Sequence, residues 1–370
     1  PRIEAASAGV SVSIGYEPMA PSDDAATVFD LAALEEQARG RLPVDVFDYY
    51  AGGAGLETTL REASSAWAGW RLRPRVLRDV RAVGLRTTLL GSDVATPIGV
   101  APWAYHALAH PDGERATARG AAAAGALMTV STAASTSLAD VAAVEPDAPK
   151  WFQLYARHSP AHTDELARRA GAAGYRALVL TVDLPVLGRR LRDLRSGFLV
   201  PADPPNLPAD GSPAEDLPGW TFDDIGRFGE LSGLPVVVKG VLRDDDAARC
   251  VQAGAAAVWV SAHGGRQADP VIATAEALPE VVAAVGSDVE VYVDGGIRSG
   301  SDVLTALALG ATAVFVARPV IWGVAVGGAS GVSDVLTALT AELAHTMTLC
   351  GLSDVRSVPR DAVLRARPAG

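Results

Sequence analysis

Eight short runs of apolar, often β-branched residues recur along the chain, and most are followed by a segment rich in alanine and leucine. The runs are apolar at consecutive positions, which is typical of strands covered on both faces of a parallel sheet. The intervening segments have helical periodicity, and several end in glycine just before the next run. Eight such repeats predict an α/β fold, a closed parallel (β/α)8 TIM barrel. The predicted strands are PIGVAP (97–102), ALMTVST (126–132), KWFQLY (150–155), ALVLTVD (177–183), PVVVKG (235–240), AVWVSAH (257–263), VEVYVD (289–294) and AVFVARP (313–319).

The region before residue 90 has a helical pattern instead. Residues 31–42, 45–53 and 57–67 are short amphipathic stretches that predict an N-terminal helical collar. Residues 1–26 are rich in alanine, serine and proline and predict a loose extension. We therefore divide the chain into this extension and one barrel domain, 27–370, a length that a single α/β barrel can use.

The connection after the fourth predicted strand is unusually long. It runs from Gly188 to about Gly219, whereas connections in compact domains usually have about 4–6 residues. Its content of proline, aspartate and glycine predicts a mobile lid over the mouth of the barrel, with plain disorder over 201–219 as the alternative.

Composition excludes several classes of partner. The net charge of −11 and the isoelectric point near 5.0 leave no positive surface for nucleic acid or an anionic membrane. Cys250 and Cys350 are too few for a disulfide framework and lack metal-ligand spacing, so they predict reduced thiols, a cytoplasmic location and no metal site. The most apolar later stretch, 306–332, is interrupted by Arg318, Pro319 and several glycines, which argues against a membrane span.

Polar residues lie where six of the predicted strands end. In barrels of this type, the C-terminal ends of the strands form the active-site face. A single polar residue there can simply cap a loop, but six with complementary chemistry favour a shared site. The six are Tyr155, Asp183, Lys239, His263, Asp294 and Arg318.

Two loops at this face suit a phosphate group. The loops after strands seven and eight of such barrels often bind phosphate through backbone N–H groups and a helix N-terminus. Gly295 and Gly296 let the backbone approach a ligand closely, and Arg298 and Arg318 add forked donors. These loops predict a cofactor phosphate site.

The other groups at the strand ends indicate acid–base chemistry. His263 and Asp183 can approach each other across the mouth, where a carboxylate would orient the imidazole. Lys239 suits either a Schiff base or a fixed cation beside an electron-rich cofactor. Arg190 and Arg266 are two further cations that suit a substrate carboxylate.

Ordered motifs over about residues 30–360 resemble the FMN-dependent 2-hydroxy acid oxidases and dehydrogenases, which include glycolate and lactate oxidases and mandelate dehydrogenases. The resemblance implies FMN as cofactor, oxidation of a 2-hydroxy acid to the 2-oxo acid, and oxygen or another acceptor for the electrons. It also implies a homo-oligomer, a tetramer. The motifs are FDYYAGGAG (47–55), APWAYHALAHPDGE (101–114), WFQLY (151–155), TVDLPVLGRR (181–190), VVKG (237–240), SAHGGRQAD (261–269), DGGIRSGSDV (294–303) and ARP (317–319).

The resemblance also implies roles for individual residues. His263 is expected to be the base that removes a proton from the 2-hydroxy acid, and Asp183 is expected to stabilise the imidazolium. Tyr155 would contact the reacting oxygen, and Lys239 would lie beside the flavin N1 and C2 carbonyl. The residues expected to hold the substrate carboxylate are Tyr49, Arg190 and Arg266. The remaining residues expected to contact FMN are Ala101, Pro102, Trp103, Ala104, Ser131, Gln153, Thr181, Ser261, Asp294, Gly295, Gly296, Arg298, Ala317 and Arg318.

The chain departs from the family pattern at three positions, and a fourth position bears on the size of the substrate pocket. Ala262 replaces the usual asparagine beside the base, and Ala317 replaces a glycine of the phosphate loop. Trp103 stands near the flavin, where a smaller residue is common. Ala133 stands where glycolate oxidases have a tryptophan over the substrate, so the enlarged pocket predicts a bulkier, mandelate-like aryl substrate.

Two other functions stay open at this point. An isomerase or lyase would keep the barrel and the phosphate site but use Lys239 for a Schiff base, or FMN without net oxidation. A flavin-binding protein that has lost catalysis would account for the departures, although every expected catalytic group is present.

Overall fold

The barrel predicted from the eight repeats is present and closed. The structure is a computed structural model that describes residues 29–156, 159–200, 205–206 and 219–366. The barrel strands are β1 (Ile98–Val100), β2 (Met128–Ser131), β3 (Lys150–Leu154), β4 (Leu178–Thr181), β5 (Val236–Val241), β6 (Ala257–Val260), β7 (Glu290–Asp294) and β8 (Ala313–Val316). They run parallel and follow one another in sequence order, and β8 pairs with β1 to close the barrel.

Large aromatic side chains fill the interior of the barrel. The ring centroids of Trp259 and Phe315 lie 4.0 Å apart, and that of Tyr292 lies 5.6 Å from Phe315. Trp151 packs 5.2 Å from Tyr292. Gly99 on β1 makes room for this cluster, because a Cβ there would approach Phe315 Cε1 to 2.4 Å. The interior is therefore a packed core that leaves only the ends of the barrel for a site.

A two-stranded hairpin closes the N-terminal end of the barrel. Its strands, Thr87–Leu89 and Ser92–Val94, are antiparallel, and their apolar residues join the interior cluster. The backbone N–H of Leu90 donates to Glu290 Oε1 at the start of β7 (3.1 Å). The prediction of helical structure before residue 90 is therefore wrong for the hairpin, and also for the short strand Trp70–Leu72.

Helices surround the barrel and cover its mouth. The predicted collar corresponds to α1 (Leu31–Arg41), α2 (Val44–Ala51) and α3 (Thr58–Trp67). Serine caps start several outer helices, as where the Ser159 hydroxyl accepts from the N–H of His162. The outer helices are α4 (Gly113–Ala123), α5 (Leu138–Ala142), α6 (Pro160–Ala172), α7 (Leu191–Ser196), α8 (Asp223–Ser232), α9 (Asp244–Gln252), α10 (Thr274–Val285), α11 (Gly300–Ala308) and α12 (Arg318–Leu349). The remaining elements are a strand, Val363–Arg365, which pairs with Trp70–Leu72, and 3-10 turns at His106–Leu108, His263–Gly265, Val355–Ser357 and Arg360–Ala362.

The long helix α12 is apolar enough, by length and composition, to cross a membrane. It packs against α1, α4 and α11, and 56% of its most apolar 18-residue window is buried inside the protein. The helix bends at Gly328, where φ is 56° and a Cβ would approach His110 Nε2 to 2.9 Å. The apolar stretch 306–332 is divided among α11, β8 and α12, so no single helix contains it.

The long connection after β4 begins with a segment attached to the collar. Arg192 of α7 bonds to Asp48 Oδ1 (3.0 Å) and to Glu57 Oε2 (2.8 Å). Residues 201–204 and 207–218 lie outside the described residues, so the lid over the mouth stays a prediction.

The barrel and its collar form one compact unit that begins at Leu31. The predicted extension, 1–26, lies outside the described residues. The boundary between the extension and a domain starting at residue 27 stays a prediction.

Candidate active site

The strand-end side chains converge on one cavity at the C-terminal end of the barrel. The cavity, together with the open space at its mouth, has a volume of about 890 Å³. Five of the six strand-end residues line it, and the sixth, Asp183, bonds to one of them, His263. The predicted site residues in its lining are Tyr49, Ala101, Pro102, Trp103, Ala104, Tyr155, Arg190, Lys239, His263, Arg266, Asp294, Gly295, Gly296, Arg298, Ala317 and Arg318.

A histidine and a carboxylate form the central pair of the site. His263 Nδ1 lies 2.8 Å from Asp183 Oδ1, and both side chains are largely buried. Burial alone would raise the pKa of Asp183, but the neighbouring His263 and, more distantly, Lys239 hold it below its usual value. The carboxylate therefore stays ionised and can stabilise a protonated imidazole. Gly240 makes room for this pair, since a Cβ there would approach Asp183 Cγ to 2.6 Å.

The turn after β6 directs the imidazole into the cavity. His263, Gly264 and Gly265 all have positive φ, at 52°, 63° and 72°. Two of the three are glycine, which adopts this conformation without a steric penalty. A Cβ at Gly265 would approach the backbone nitrogen of Leu60 to 2.8 Å, so the glycine also lets α3 pack closely.

Tyr155 faces the other imidazole nitrogen from the end of β3. Its hydroxyl oxygen lies 3.4 Å from His263 Nε2. Because Nδ1 is engaged by Asp183, Nε2 is the nitrogen available to a molecule in the cavity. We call the group formed by Asp183, His263 and Tyr155 the acid–base half of the site.

Lys239 is held by two neighbours on adjacent strands. Its Nζ donates to Ser261 Oγ (2.8 Å) and lies 3.2 Å from Asp294 Oδ2. The Ser261 hydroxyl in turn donates to Asp294, with distances of 2.8 Å and 3.0 Å to the two carboxylate oxygens. An ammonium paired in this way can act as a fixed cation. A Schiff base would instead require a free, uncharged amine.

Two arginines lie near the ring of Tyr49, on the side of the cavity that the collar forms. Arg266 Cζ lies 5.0 Å from the ring centroid, and Arg190 Cζ lies 6.0 Å from it. Arg266 donates to the backbone oxygens of Tyr49 and Gly52, while Arg190 Nε is buried and has no hydrogen-bond partner among the described residues. Burial, together with the positive charge of Arg190, lowers the pKa of Arg266 to about 10, so the Arg266 guanidinium stays charged at neutral pH.

The predicted phosphate loops are also in place. Gly295 and Gly296 have φ of 90° and 79°, and a Cβ at Gly296 would approach the backbone oxygen of Ala63 to 2.1 Å. Ala317 has φ of −115°, so the alanine fits without strain where the family has glycine. The indole N–H of Trp67 donates to the oxygen of Gly295 (2.8 Å), which ties the loop to the collar.

Arg298 and Arg318 complete this loop region as half-buried cations. Arg318 donates to the backbone oxygens of Tyr50 (3.1 Å), Gly264 (3.0 Å) and Gly52 (3.0 Å). Burial and the neighbouring arginines lower the pKa of Arg318 to about 9, and burial also lowers that of Arg298. We call the group formed by Arg190, Arg266, Arg298 and Arg318 the arginine half; none of the four forms an ion pair with another described residue.

Four predicted flavin contacts lie behind the lining of the cavity: Ser131, Gln153, Thr181 and Ser261. The Ser131 hydroxyl donates to Gln153 Oε1 (3.2 Å). Gln153 Nε2 and Thr181 Oγ1 are buried and have no hydrogen-bond partner among the described residues. Buried polar atoms are rarely left unsatisfied. These two atoms and the unpaired arginines fit a polar, anionic cofactor such as FMN.

Sequence reasoning missed an aromatic stack at the wall of the cavity. The rings of Trp103 and His106 lie 3.4 Å apart at an angle of 13°, and Tyr50 meets Trp103 edge-on at 5.4 Å. Burial lowers the pKa of His106 to about 4, so this imidazole is neutral. The tyrosine pair 49–50 in α2 was the signal that could have indicated Tyr50; nothing in the sequence indicates that His106 stacks on Trp103.

The comparisons with known proteins agree with this geometry. The model of the family described as FMN-dependent dehydrogenase matches residues 38–365. The chain is 45% identical to L-lactate oxidase from a Nostoc species, over 89% of this chain and 96% of that protein. It is 42% identical to 4-hydroxymandelate oxidase from Amycolatopsis orientalis, over 90% and 98%.

A solved structure supports the same assignment. The structure of mandelate oxidase with (S)-2-phenylpropionate superposes with a TM-score of 0.84 at 44% identity, and the match covers 89% of this chain and 96% of that one. The fold, the cavity and these similarities lead to one conclusion: the chain belongs to the FMN-dependent dehydrogenase family and is an FMN-dependent enzyme that oxidises 2-hydroxy acids.

Proposed function

We propose that this enzyme oxidises an aryl 2-hydroxy acid, with His263 as the catalytic base. The observation that carries the proposal is the orientation of one imidazole. Its Nδ1 is bonded to Asp183, and its Nε2 faces the cavity beside the Tyr155 hydroxyl. Oxidation of a 2-hydroxy acid removes two electrons and two protons, and a base in this position can accept one of the protons.

The other residues bind and orient the substrate in this proposal. Arg190 and Arg266 hold the carboxylate, as forked donors suit a planar anion. Asp183 stabilises the imidazolium that forms at His263, and Tyr155 contacts the reacting oxygen. FMN, when bound, supplies the two-electron acceptor. Lys239 provides a fixed positive charge at the cofactor.

The residues proposed to hold FMN fall into two groups. Those for its ring are Ala101, Pro102, Trp103, Ala104, Ser131, Gln153, Thr181 and Ser261. Those for its ribityl chain and phosphate are Asp294, Gly295, Gly296, Arg298, Ala317 and Arg318. The buried, unpartnered amide donor of Gln153 and the lowered pKa of Arg318, caused by burial and by the neighbouring arginines, support this division.

Small and aromatic residues beside the arginines support an aryl side chain on the substrate. Ala133 occupies the loop after β2, and its backbone oxygen accepts from the N–H of Tyr105 (3.0 Å). Tyr105 and Phe198 both contact the Tyr49 ring, with centroid distances of 6.4 Å and 5.3 Å. A ring carried by the substrate can pack edge-on or offset against such a cluster. One of the relatives named above acts, by its name, on an aryl 2-hydroxy acid.

Anaerobic mixing of the holoenzyme with mandelate, lactate and glycolate tests this proposal. We expect mandelate to bleach the flavin absorption fastest. Ala133→Trp should slow the bleaching by mandelate and leave that by glycolate unchanged, because the larger side chain fills the space proposed for the aromatic ring of the substrate. Much faster bleaching by glycolate or lactate would overturn the aryl assignment, and borohydride trapping of substrate on Lys239 would overturn the assigned chemistry.

The electron acceptor, the assembly and the location remain proposals. Oxygen is the acceptor that we propose, since the relatives named above are called oxidases; another acceptor would give substrate-dependent bleaching without oxygen consumption. A homo-oligomer, tetrameric by the family resemblance, and a cytoplasmic location complete the proposal.

A further inference from the structure

The cation proposed to lie beside the flavin does not stand alone. Lys239, Ser261 and Asp294 come from the ends of β5, β6 and β7, and all three are almost completely buried. The ammonium lies 3.2 Å from the carboxylate, and the serine hydroxyl bridges them with hydrogen bonds of 2.8 Å on each side. The pairing of β5 with β6 places Lys239 opposite Trp259, two residues before Ser261, and a β-bulge between Lys239 and Val241 shifts the register immediately after the lysine.

The pairing changes the charge that a ligand in the cavity experiences. Both Lys239 and Asp294 line the cavity, so a bound cofactor meets a neutral pair and not an isolated positive charge. At low dielectric, a charge is felt over several ångströms, and a counter-charge 3.2 Å away cancels much of its field. The negative member of the pair therefore matters for any step that adds negative charge to the cofactor.

We propose that Asp294 sets the reduction potential of bound FMN by compensating the charge of Lys239. This inference rests on the proposed position of Lys239 beside the flavin. Reduction adds negative charge to the ring, which a positive neighbour favours. Asp294 weakens that effect by partly cancelling the positive charge, and Ser261 fixes the positions of the two charged groups through its hydrogen bonds.

The test measures the midpoint potential of the holoenzyme by anaerobic equilibration with reference dyes. We expect Asp294→Asn to favour the reduced form by about tenfold, equivalent to about 30 mV for a two-electron couple. Sulfite, which adds to oxidised flavins as an anion, should bind that variant about tenfold more tightly for the same reason. Asp334→Asn, an isosteric change at an exposed position on α12, is the matched control and should leave both quantities unchanged.

Asp294→Asn leaves the buried cation of Lys239 unpaired, so this variant can lose FMN or misfold. A set of variants that removes each charge separately and then both together keeps the test informative in that case. Lys239→Met should lower the potential, because it leaves Asp294 unpaired. The double variant Lys239→Met and Asp294→Asn removes both charges and should return the potential toward that of the wild type.

The outcomes separate this inference from the proposed function. No effect of Lys239→Met on the potential would remove Lys239 from the flavin and so overturn the proposed function at that residue. A lower potential in Lys239→Met, combined with no rise on adding Asp294→Asn, would overturn only the inference. An unchanged or lower potential in Asp294→Asn alone would also overturn it.

Discussion

The acid–base half and the arginine half of the cavity differ in how their charges are balanced. In the acid–base half, the ionised carboxylate of Asp183 has the imidazole of His263 as its partner within the protein. In the arginine half, three of the guanidiniums donate to backbone carbonyl groups, and none of the four forms an ion pair with another described residue. The charge of the acid–base half is paired by direct contact within the protein, while carboxylates such as Glu35 and Asp193 act on the arginine half without forming an ion pair with it.

This difference matches the division that we propose between residues that perform the chemistry and residues that bind the ligands. Buried, unpaired cations are costly, and an anionic ligand recovers that cost when it binds. The arginine half therefore suits the anionic groups of the substrate and the cofactor that we propose it binds. A base must keep a free nitrogen and a stable charged form, which the pairing with Asp183 supplies before any ligand arrives.

Removal of the base should give the largest effect and break the acid–base half alone. His263→Ala should slow flavin reduction by substrate about 10²–10⁴-fold, the usual contribution of a general base. FMN affinity should change little, because the arginine half is intact. Anaerobic stopped-flow reduction measures the first quantity, and His345→Ala, at an exposed position on α12, is the control. Near-normal reduction of the variant would show that another group removes the proton.

Loss of one arginine should give a smaller effect with a different signature. Arg266→Met should raise KM for a 2-hydroxy acid on the order of 10²-fold, because the substrate carboxylate loses its partner, and losses of this size are usual when one member of a charge pair is removed. The uncharged amide of the same acid should lose far less in the variant, since it brings no carboxylate. Steady-state kinetics with both compounds measure the contrast, and Arg168→Met on α6 is the exposed control. Equal losses for acid and amide would contradict a role in binding the carboxylate.

The smallest effect should come from the departure beside the base. Ala262 lines a small cavity with Gly296, Arg298 and Arg318, so its side chain faces the arginine half although His263 is its neighbour in sequence. Ala262→Asn should change the rate of flavin reduction by less than about threefold, because a substitution that removes no contact of the base usually has a small effect. The affinity for FMN, measured by titration of the apoprotein, should change more than the rate of flavin reduction. A larger change in reduction than in FMN affinity would place this position in the acid–base half.

The barrel could be predicted because its signals are local and repeated. Each strand contains a core of apolar residues, and the order of the strands in sequence is their order in the barrel. The strands are shorter than the runs, as where residues 97–102 supply only Ile98–Val100, because the ends of each run enter loops. The hairpin 87–94 was missed because its strands have three residues each, too few for an alternating pattern.

The site was predictable wherever the barrel topology alone brings residues together. Strand ends meet at one face in any such barrel, which is why His263 and Asp183 could be paired from the sequence. The stack of Trp103 on His106 depends on side-chain rotamers in a loop, and no sequence period encodes those. Likewise, sequence patterns could not distinguish the side chains that line the cavity from those, such as Gln153, that lie one layer behind.

The links between the collar and the barrel also constrain when the site can form. Trp67 bonds to Gly295, 228 residues later in the chain, and Arg318 bonds back to Tyr50 across 268 residues. Contacts of such sequence separation are entropically costly to close and form slowly. On a ribosome, the collar emerges first but cannot meet Arg318 until almost the whole barrel has been synthesised. The cofactor site therefore cannot be complete before the chain through Arg318 has folded, so FMN binding reports on folding of the barrel as far as that residue.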